Sequence, residues 1–305
     1  MPNTKVSTEH DFLITDNGLL FWDYKGKARM LVLHQDPDPS DPRQECDNAA
    51  TMACFHRRHS LGDKLDETDP GAFWDAFLRK NMDNGALLDK LRQHKAKGFE
   101  ELMEENGAGW DDLEDVLDLF HSSVEDGQIG LAMDVLEDRA AWLPMYLYEH
   151  SGMTVSCGER KYPYNDRWDS SAIGWIVMSK ETAMKELGAD DSNWREKAET
   201  CMRAEVESYD NYLIGDVWFY TLYESDLPVG ENENGIAART KKPVSDEDAW
   251  EEKDSCSGFE GSYLIKSGIP ENVGDGLLEA LESGNYWTGT AEPRQVTIWS
   301  YVRDQ

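Results

Sequence analysis

Two clusters of cysteine and histidine residues contain the side chains in this sequence that could carry out chemistry. The first lies in the segment DNAATMACFHRRHSLGD, residues 47–63, and contains Cys54, His56 and His59. A thiol close to an imidazole can act as a nucleophile with its general base, and with Asp47 the same side chains could ligate a metal ion. No matching second pair of histidines follows downstream. We therefore favour histidines that form hydrogen bonds within the fold, and we predict no metal site.

The second cluster lies in the segment LPMYLYEHSGMTVSCG, residues 143–158. Here His150 and Ser151 could act together in acyl transfer, with Cys157 or Asp169 nearby. The serine lacks the Gly-x-Ser-x-Gly context that exposes a nucleophile between a strand and a helix. The sequence also has no GKS or GKT phosphate-binding loop and no HExxH motif. We predict no catalytic residue and no cofactor, and a Cys/His-dependent hydrolase or transferase stays open as an alternative.

The elements that must position these residues fall into three parts along the chain. Residues 1–69 are β-rich, with an antiparallel meander predicted over residues 12–33. Residues 70–139 form an acidic helical region, and residues 140–305 contain strands and helices with a long polar loop near 224–258. Together these patterns predict an α+β fold, in which antiparallel or mixed sheets are accompanied by an acidic helical insertion.

An amphipathic helix is predicted directly after Trp110. Leu113, Val116, Leu117 and Phe120 recur at positions i, i+3, i+4 and i+7, which is the spacing of one apolar face of an α-helix. Acidic residues occupy the remaining positions of the same segment. We therefore expect this helix to bury its apolar stripe and to expose its carboxylates.

The acidic helical region has an uninterrupted negative charge. Between Gly98 and Asp138 the sequence has fourteen acidic residues and no lysine or arginine. In a helix this corresponds to about one negative charge per 4 Å of axis, which is comparable with the phosphate spacing of about 3.4 Å along one DNA strand. Gly107, Gly109 and Gly127 divide the segment into shorter helices. Such a run is often a solvated helix face, but its dense like charges also favour a basic partner. The predicted partner-binding residues are Glu100, Glu101, Glu104, Glu105, Asp111, Asp112, Glu114, Asp115 and Asp118.

The charge of the whole chain restricts the class of partner. Of 305 residues, 61 are acidic and 30 are Lys or Arg, so the formal net charge is −31. Such a surface repels nucleic acid and anionic membranes and attracts the basic surfaces with which other proteins hold DNA or RNA. We therefore expect a protein partner and no direct contact with nucleic acid or membrane. The 11 Trp, 12 Tyr and 9 Phe supply a core, which excludes wholesale disorder.

The cysteines and the N-terminal segment indicate a compartment. The five cysteines are odd in number, widely spaced and without a CxxC pair, which is typical of proteins in a reducing environment. The segment MPNTKVSTEHDF lacks the apolar stretch of a signal peptide, and no apolar run approaches the roughly 18 residues of a membrane span. The sequence therefore predicts a cytoplasmic protein.

Three phrases of the sequence resemble a known family. DNAATMACFHRRHSLGD, LPMYLYEHSG and WDSSAIGWIVMSK, all between residues 47 and 180, resemble conserved phrases of a family encoded by bacteriophages and mobile elements. The segment KYPYNDR, residues 161–167, departs from the serine- and cysteine-containing turn of that family. In size and acidity the chain is also similar to viral inhibitors of bacterial defence, such as the Gabija anti-defence proteins, which engage a host nuclease complex and prevent DNA cleavage. This resemblance implies a non-enzymatic, homo-oligomeric inhibitor that masks the DNA-handling surface of a host defence complex.

Three hypotheses of function follow from these observations. The first is an acidic inhibitor that binds a host defence nuclease, or another nucleic-acid-processing complex in the host cytoplasm, and blocks its access to DNA. The second is the Cys/His-dependent hydrolase or transferase of a mobile element. The third is an acidic structural or salt-adapted protein whose charge confers solubility and whose partner, if any, is unrelated to nucleic acid.

Overall fold

A computed structural model describes residues 13–14, 18–150, 152–158, 168–225 and 250–290. It contains 40% helix and 29% strand, and its strands form two antiparallel sheets. Helices and antiparallel sheets in one chain confirm the predicted α+β class.

The strands and helices are numbered in chain order. The strands are β1 (Gly18–Tyr24), β2 (Lys27–Gln35), β3 (Thr51–Cys54), β4 (Ala140–Glu149), β5 (Met153–Cys157), β6 (Ser170–Ser179), β7 (Val217–Ser225), β8 (Glu251–Glu260) and β9 (Tyr286–Thr290). The helices are α1 (Pro42–Glu45), α2 (Pro70–Asn81), α3 (Asn84–Arg92), α4 (Phe99–Asn106), α5 (Leu113–Glu125), α6 (Ile129–Leu136), α7 (Lys180–Glu186), α8 (Trp194–Ile214), α9 (Ile269–Val273) and α10 (Leu277–Ser283).

The chain folds as two compact units. We call residues 41–210 the central unit, and the described residues among 1–40 and 211–305 the terminal unit. The predicted helical region, residues 70–139, contains α2 to α6 of the central unit. The three predicted parts describe local patterns along the chain, whereas the two units group residues by their contacts in space.

The terminal unit is built on a five-stranded sheet in the order β8-β7-β2-β1-β9. A two-residue turn joins β1 to β2, and both of its residues, Lys25 and Gly26, have positive φ, as a type I′ hairpin requires. Trp22, Leu31 and Tyr220 are buried on one face of this sheet and pack in one core with residues of α9 and α10. This unit contains none of the predicted site residues.

Part of the predicted polar loop is a strand, β8. The loop was predicted near 224–258, of which residues 226–249 lie outside the described residues, but residues 251–258 belong to β8. The strand pairs with β7 at the edge of the sheet, and its first five residues, EEKDS, are exposed. Edge strands commonly carry charged side chains because these discourage pairing with another chain. The segment therefore has no alternation of apolar residues from which a strand could be predicted.

The central unit packs helices against a four-stranded sheet in the order β3-β6-β4-β5. Trp74 of α2 is fully buried, and its ring meets Trp142 and Trp175 edge-on at centroid distances of 5.6 and 5.9 Å. Phe120 of α5 and Val177 of β6 belong to the same core. This core holds the helical layer that carries the predicted acidic residues.

Helices α2 and α5 are in close contact at two points. A Cβ atom on Gly71 would lie 2.2 Å from the carbonyl oxygen of Glu125, so only glycine permits this approach. Further along, the buried side chains of His121 and Asp75 are joined by a 2.5 Å hydrogen bond between Nδ1 and Oδ1, and Asp75 also accepts a hydrogen bond from Arg79. The orientation of α5 is therefore fixed from its buried side.

Residues 47–63, which we call the DNAAT segment, are organised by a buried arginine. The guanidinium of Arg43, whose side chain has no exposed surface, donates five hydrogen bonds, one for each of its N–H groups. Asp63 accepts two at 2.7 and 3.0 Å, Glu205 accepts one at 2.7 Å, and the remaining acceptors are Asn48 and the carbonyl oxygen of Ala50. Residues 47–63 therefore have a structural role, because the network ties them to α1 and α8.

Candidate functional site

All nine predicted partner-binding carboxylates are exposed on α4, α5 and the loop between them. Phe99 and Met103 of α4 and Val116 and Phe120 of α5 point into the core, with the rings of Phe99 and Phe120 5.1 Å apart. Burying these apolar positions leaves the acidic positions facing solvent, as the spacing predicts. The acidic surface consists of Glu100, Glu101, Glu104, Glu105, Asp111, Asp112, Glu114, Asp115 and Asp118.

Some of these acids also stabilise the helices that carry them. Asp112 is the N-cap of α5, and its carboxylate accepts hydrogen bonds from the backbone N–H groups of Glu114 and Asp115 at 3.1 and 3.2 Å. Glu114 and Asp115 lie in the first turn, where the helix dipole favours negative charge. Glu104 and Glu105 lie in the last turn of α4, where the dipole of that helix disfavours negative charge. No basic residue lies in this turn to compensate them.

The negative charge of the acidic surface is largely uncompensated. Glu100 is paired with His94 at 2.7 Å, and among the described residues no Lys, Arg or His lies within ion-pair distance of the other eight carboxylates. The nearby base Lys90 is paired with Asp138, outside the acidic surface. The fold therefore does not neutralise these acids through its own cations.

Two apolar side chains lie within the acidic surface, and the sequence did not indicate this role for them. Trp110 and Leu113 are each 36% exposed, although Leu113 was predicted as part of the buried stripe of α5. It is the first residue of the helix, so it lies at the end of the stripe and only partly under its neighbours. The guanidinium of Arg92 lies 5.7 Å from the centre of the Trp110 ring. Tryptophan is one of the residue types most enriched among interaction hot spots.

The first predicted chemical cluster forms a hydrogen-bonded group without a nucleophile. The rings of His56 and His59 are stacked, with centroids 5.2 Å apart, and both approach the carboxylate of Glu149, at 3.8 and 2.7 Å. Arg58 also reaches this carboxylate at 2.7 Å. The hydrogen bond to His59 and the nearby Arg58 charge lower the pKa of Glu149. Burial raises the pKa of the Cys54 thiol to about 12, so it is a poor nucleophile at neutral pH.

The second cluster is only partly within the described residues. His150 and Asp169 are joined at 3.1 Å between Nδ1 and Oδ2. His150 is exposed and Asp169 is half-buried, whereas Ser151 lies outside the described residues. Burial raises the pKa of the Cys157 thiol. In the described part of the chain no cysteine is hydrogen-bonded to a histidine, so neither Cys54 nor Cys157 has the base that a thiol nucleophile requires.

The histidines and their carboxylate neighbours do not form a metal-binding group among the described residues. Within the described ranges, no group of three or more His, Cys, Asp or Glu side chains is arranged to hold a metal ion. Glu149 is hydrogen-bonded to Arg58 and His59, and His56 lies 3.8 Å from the same carboxylate.

Comparison with known proteins found no protein similar to this chain. No family model, no curated protein and no solved structure matches this chain. Among the described residues, no helix combines the length and apolar composition that a membrane crossing requires. The function is therefore inferred from the geometry and charge of the site.

Proposed function

We propose that the protein is a non-enzymatic inhibitor that binds the basic, nucleic-acid-binding surface of a host defence nuclease or another nucleic-acid-processing complex. One observation carries the proposal: of the nine exposed carboxylates of the acidic surface, only Glu100 has a cationic partner among the described residues. A partner rich in Lys and Arg would supply the missing counter-charges and would lose its own access to DNA phosphates.

Charge alone gives fast but poorly discriminating association, because exposed charges act at long range and are screened by salt. Trp110 and Leu113 supply the apolar contacts that such an interface needs at its centre. Truncating an aromatic hot-spot residue typically costs about 2 kcal/mol or more of binding free energy. We therefore assign the on-rate and the salt dependence to the carboxylates, and a large share of the complex lifetime to Trp110.

Two further parts of the proposal concern the setting of the protein. We place it in the host cytoplasm, because all five cysteines are free, as expected in a reducing compartment. The resemblance of the phrases between residues 47 and 180 to a phage and mobile-element family supports a role against host defence. The similarity in size and acidity to viral inhibitors of bacterial defence supports a homo-oligomer, which would present several acidic surfaces to one host complex.

The test begins with a pull-down from host cells and mass spectrometry, followed by affinity measurements on the purified partner. The variant Glu104→Lys/Glu105→Lys/Asp118→Lys reverses three charges of the acidic surface and leaves the N-cap Asp112 intact. We expect this variant to lose inhibition and to dissociate at lower salt than the wild-type complex.

The matched control reverses three exposed acids elsewhere in the central unit, Glu181, Glu196 and Glu207. Both variants change the net charge by the same amount, so the control separates a local surface from overall charge. Equal loss of affinity in the two variants would contradict the assignment of the surface, as would full inhibition by the first. Alanine at Trp110 should raise the dissociation rate while leaving the salt dependence unchanged.

A further inference from the structure

A polar cleft opens in the central unit, away from the acidic surface. Its volume is about 410 Å³, and it lies where the C-terminal end of α2 meets the loop before β3 and the junction of β6 with α7. Small-molecule sites typically have volumes of roughly 300 to 1,000 Å³. The cleft is therefore large enough for a small metabolite.

The floor of the cleft is a rigid network whose charges are already matched. Arg43 and Asp63 both line it, and their side chains are joined by two hydrogen bonds, while Asp63 also accepts one from the backbone N–H of Met52. Glu205, the second carboxylate bound to Arg43, accepts hydrogen bonds from two backbone N–H groups and does not line the cleft. Such a floor holds the walls in place without offering an unmatched charge.

Lys80 contributes the one wall charge that the described residues leave uncompensated. Its side chain lines the cleft and is exposed, and no carboxylate in the described ranges lies within ion-pair distance of it. Other exposed lysines in the described ranges, such as Lys64 and Lys95, also have no carboxylate within ion-pair distance, so Lys80 is distinguished from them by its place in the wall of the cleft. An ammonium without a carboxylate, in a confined polar cleft, favours an anionic ligand.

The other wall groups are hydrogen-bonding groups. Thr51, Ser179 and Thr182 contribute hydroxyls, and Asn81 contributes an amide whose nitrogen already donates to the carbonyl oxygen of Phe77. The hydroxyls of Ser179 and Thr182 are hydrogen-bonded to each other at 2.8 Å, so this part of the wall is held in place before a ligand arrives. Hydroxyl and amide groups both donate and accept, which suits a ligand with several hydroxyls.

We propose that this cleft binds a small phosphorylated sugar or polyol, with its phosphate on Lys80 and its hydroxyls on Thr51, Asn81 and Thr182. Lysine is a common point-charge partner for phosphate, and the hydroxyl-rich wall does not suit an apolar ligand. The proposal does not depend on the acidic surface, and it adds a binding site to a protein proposed above to act through protein contacts.

Cys46 gives a direct readout of the cleft. It lines the cleft, its side chain is exposed and its thiol is free, so a bound ligand should shield it from alkylation. The experiment measures the rate of Cys46 alkylation by N-ethylmaleimide, by mass spectrometry of the full chain after digestion. The probes are ribose 5-phosphate, ribose and inorganic phosphate. At ten times its Kd, ribose 5-phosphate should slow the reaction about tenfold, while Cys256 of the terminal unit reacts at an unchanged rate.

Three variants complete the test. Lys80→Met should abolish the protection by ribose 5-phosphate, and Lys80→Arg should retain it. Lys95→Met removes another exposed lysine, which does not line the cleft, and this variant should behave as the wild type. The proposal is overturned if no probe slows the alkylation of Cys46 at millimolar concentration. It is also overturned if ribose alone protects as well as ribose 5-phosphate, or if the Lys80→Met variant is protected like the wild type.

Discussion

Replacing Arg43 by alanine should destabilise the central unit by about 3–5 kcal/mol, the usual consequence of breaking a buried ion pair from one side. The substitution removes five hydrogen bonds, which at about 0.5–1.5 kcal/mol each would contribute roughly 2.5–7.5 kcal/mol. It also leaves Asp63 and Glu205 without a counter-ion, although their side chains are only 22% and 13% exposed. Both estimates therefore predict a loss of unfolding free energy far larger than that caused by breaking a surface ion pair.

The assay must follow the central unit separately, because a chain with two compact units does not guarantee two-state unfolding. Hydrogen exchange with mass spectrometry does this through peptides from β4 and from residues 47–63. For amides that exchange only by unfolding of the unit, a loss of 3–5 kcal/mol corresponds to exchange that is roughly 150-fold to 4,000-fold faster.

Lys185→Ala is the control for this prediction. The Nζ atom of Lys185 lies 2.6 Å from a carboxylate oxygen of Glu186, but the two side chains are 78% and 49% exposed, so the substitution should leave the stability of the central unit nearly unchanged. If Arg43→Ala costs no more than this control, the buried network does not hold the DNAAT segment in place. The rigid floor assigned to the cleft would then also be wrong.

Two further predictions concern a helix contact and a titrating carboxylate. Gly71→Ala should destabilise the central unit by about 1–3 kcal/mol in the same hydrogen-exchange assay, because its Cβ would meet the carbonyl oxygen of Glu125. The Cβ of Gly130→Ala would meet nothing within 4 Å, so this substitution should be neutral or stabilising. A similar cost at both positions would contradict the close contact of α2 with α5. The hydrogen bond to His59 lowers the pKa of Glu149 below its ordinary value of about 4.5, so its stabilising contribution is present above that value and is lost as the pH falls through the lowered one. As the pH falls below about 4.5, wild-type stability should therefore fall more steeply than that of Glu149→Gln, and parallel pH profiles would refute this interpretation.

Local patterns in the sequence predicted the elements that have one buried face. The spacing of Val116 and Phe120 predicted α5, because a helix on the surface of a core shows its burial at intervals of three to four residues. Strand β8 was missed for the converse reason. An edge strand is held mainly by backbone hydrogen bonds to one neighbour, and its charged side chains carry no periodic signal.

In the candidate site, too, features set by neighbouring residues could be predicted, whereas contacts between residues far apart in the sequence could not. The exposure of the acidic surface followed from the apolar stripe, but the exposure of Leu113 depended on where α5 begins. The Arg43 network could not be predicted, because Glu205 is 162 residues away in the sequence and no local pattern pairs the two side chains. The role of the DNAAT segment as a structural support therefore became visible only in three dimensions.

The positions of the acids within their helices distinguish charge that serves the fold from charge that serves a partner. Asp112, Glu114 and Asp115 at the start of α5 would be favoured by capping and by the helix dipole even without a partner. Glu104 and Glu105 have no such explanation, because they lie in the last turn of α4, where the dipole opposes negative charge. Reversing these two charges should leave the fold as stable as before or more stable. A loss of inhibition in that variant would therefore report the loss of partner contacts, which is why the proposed test changes them rather than the first turn of α5.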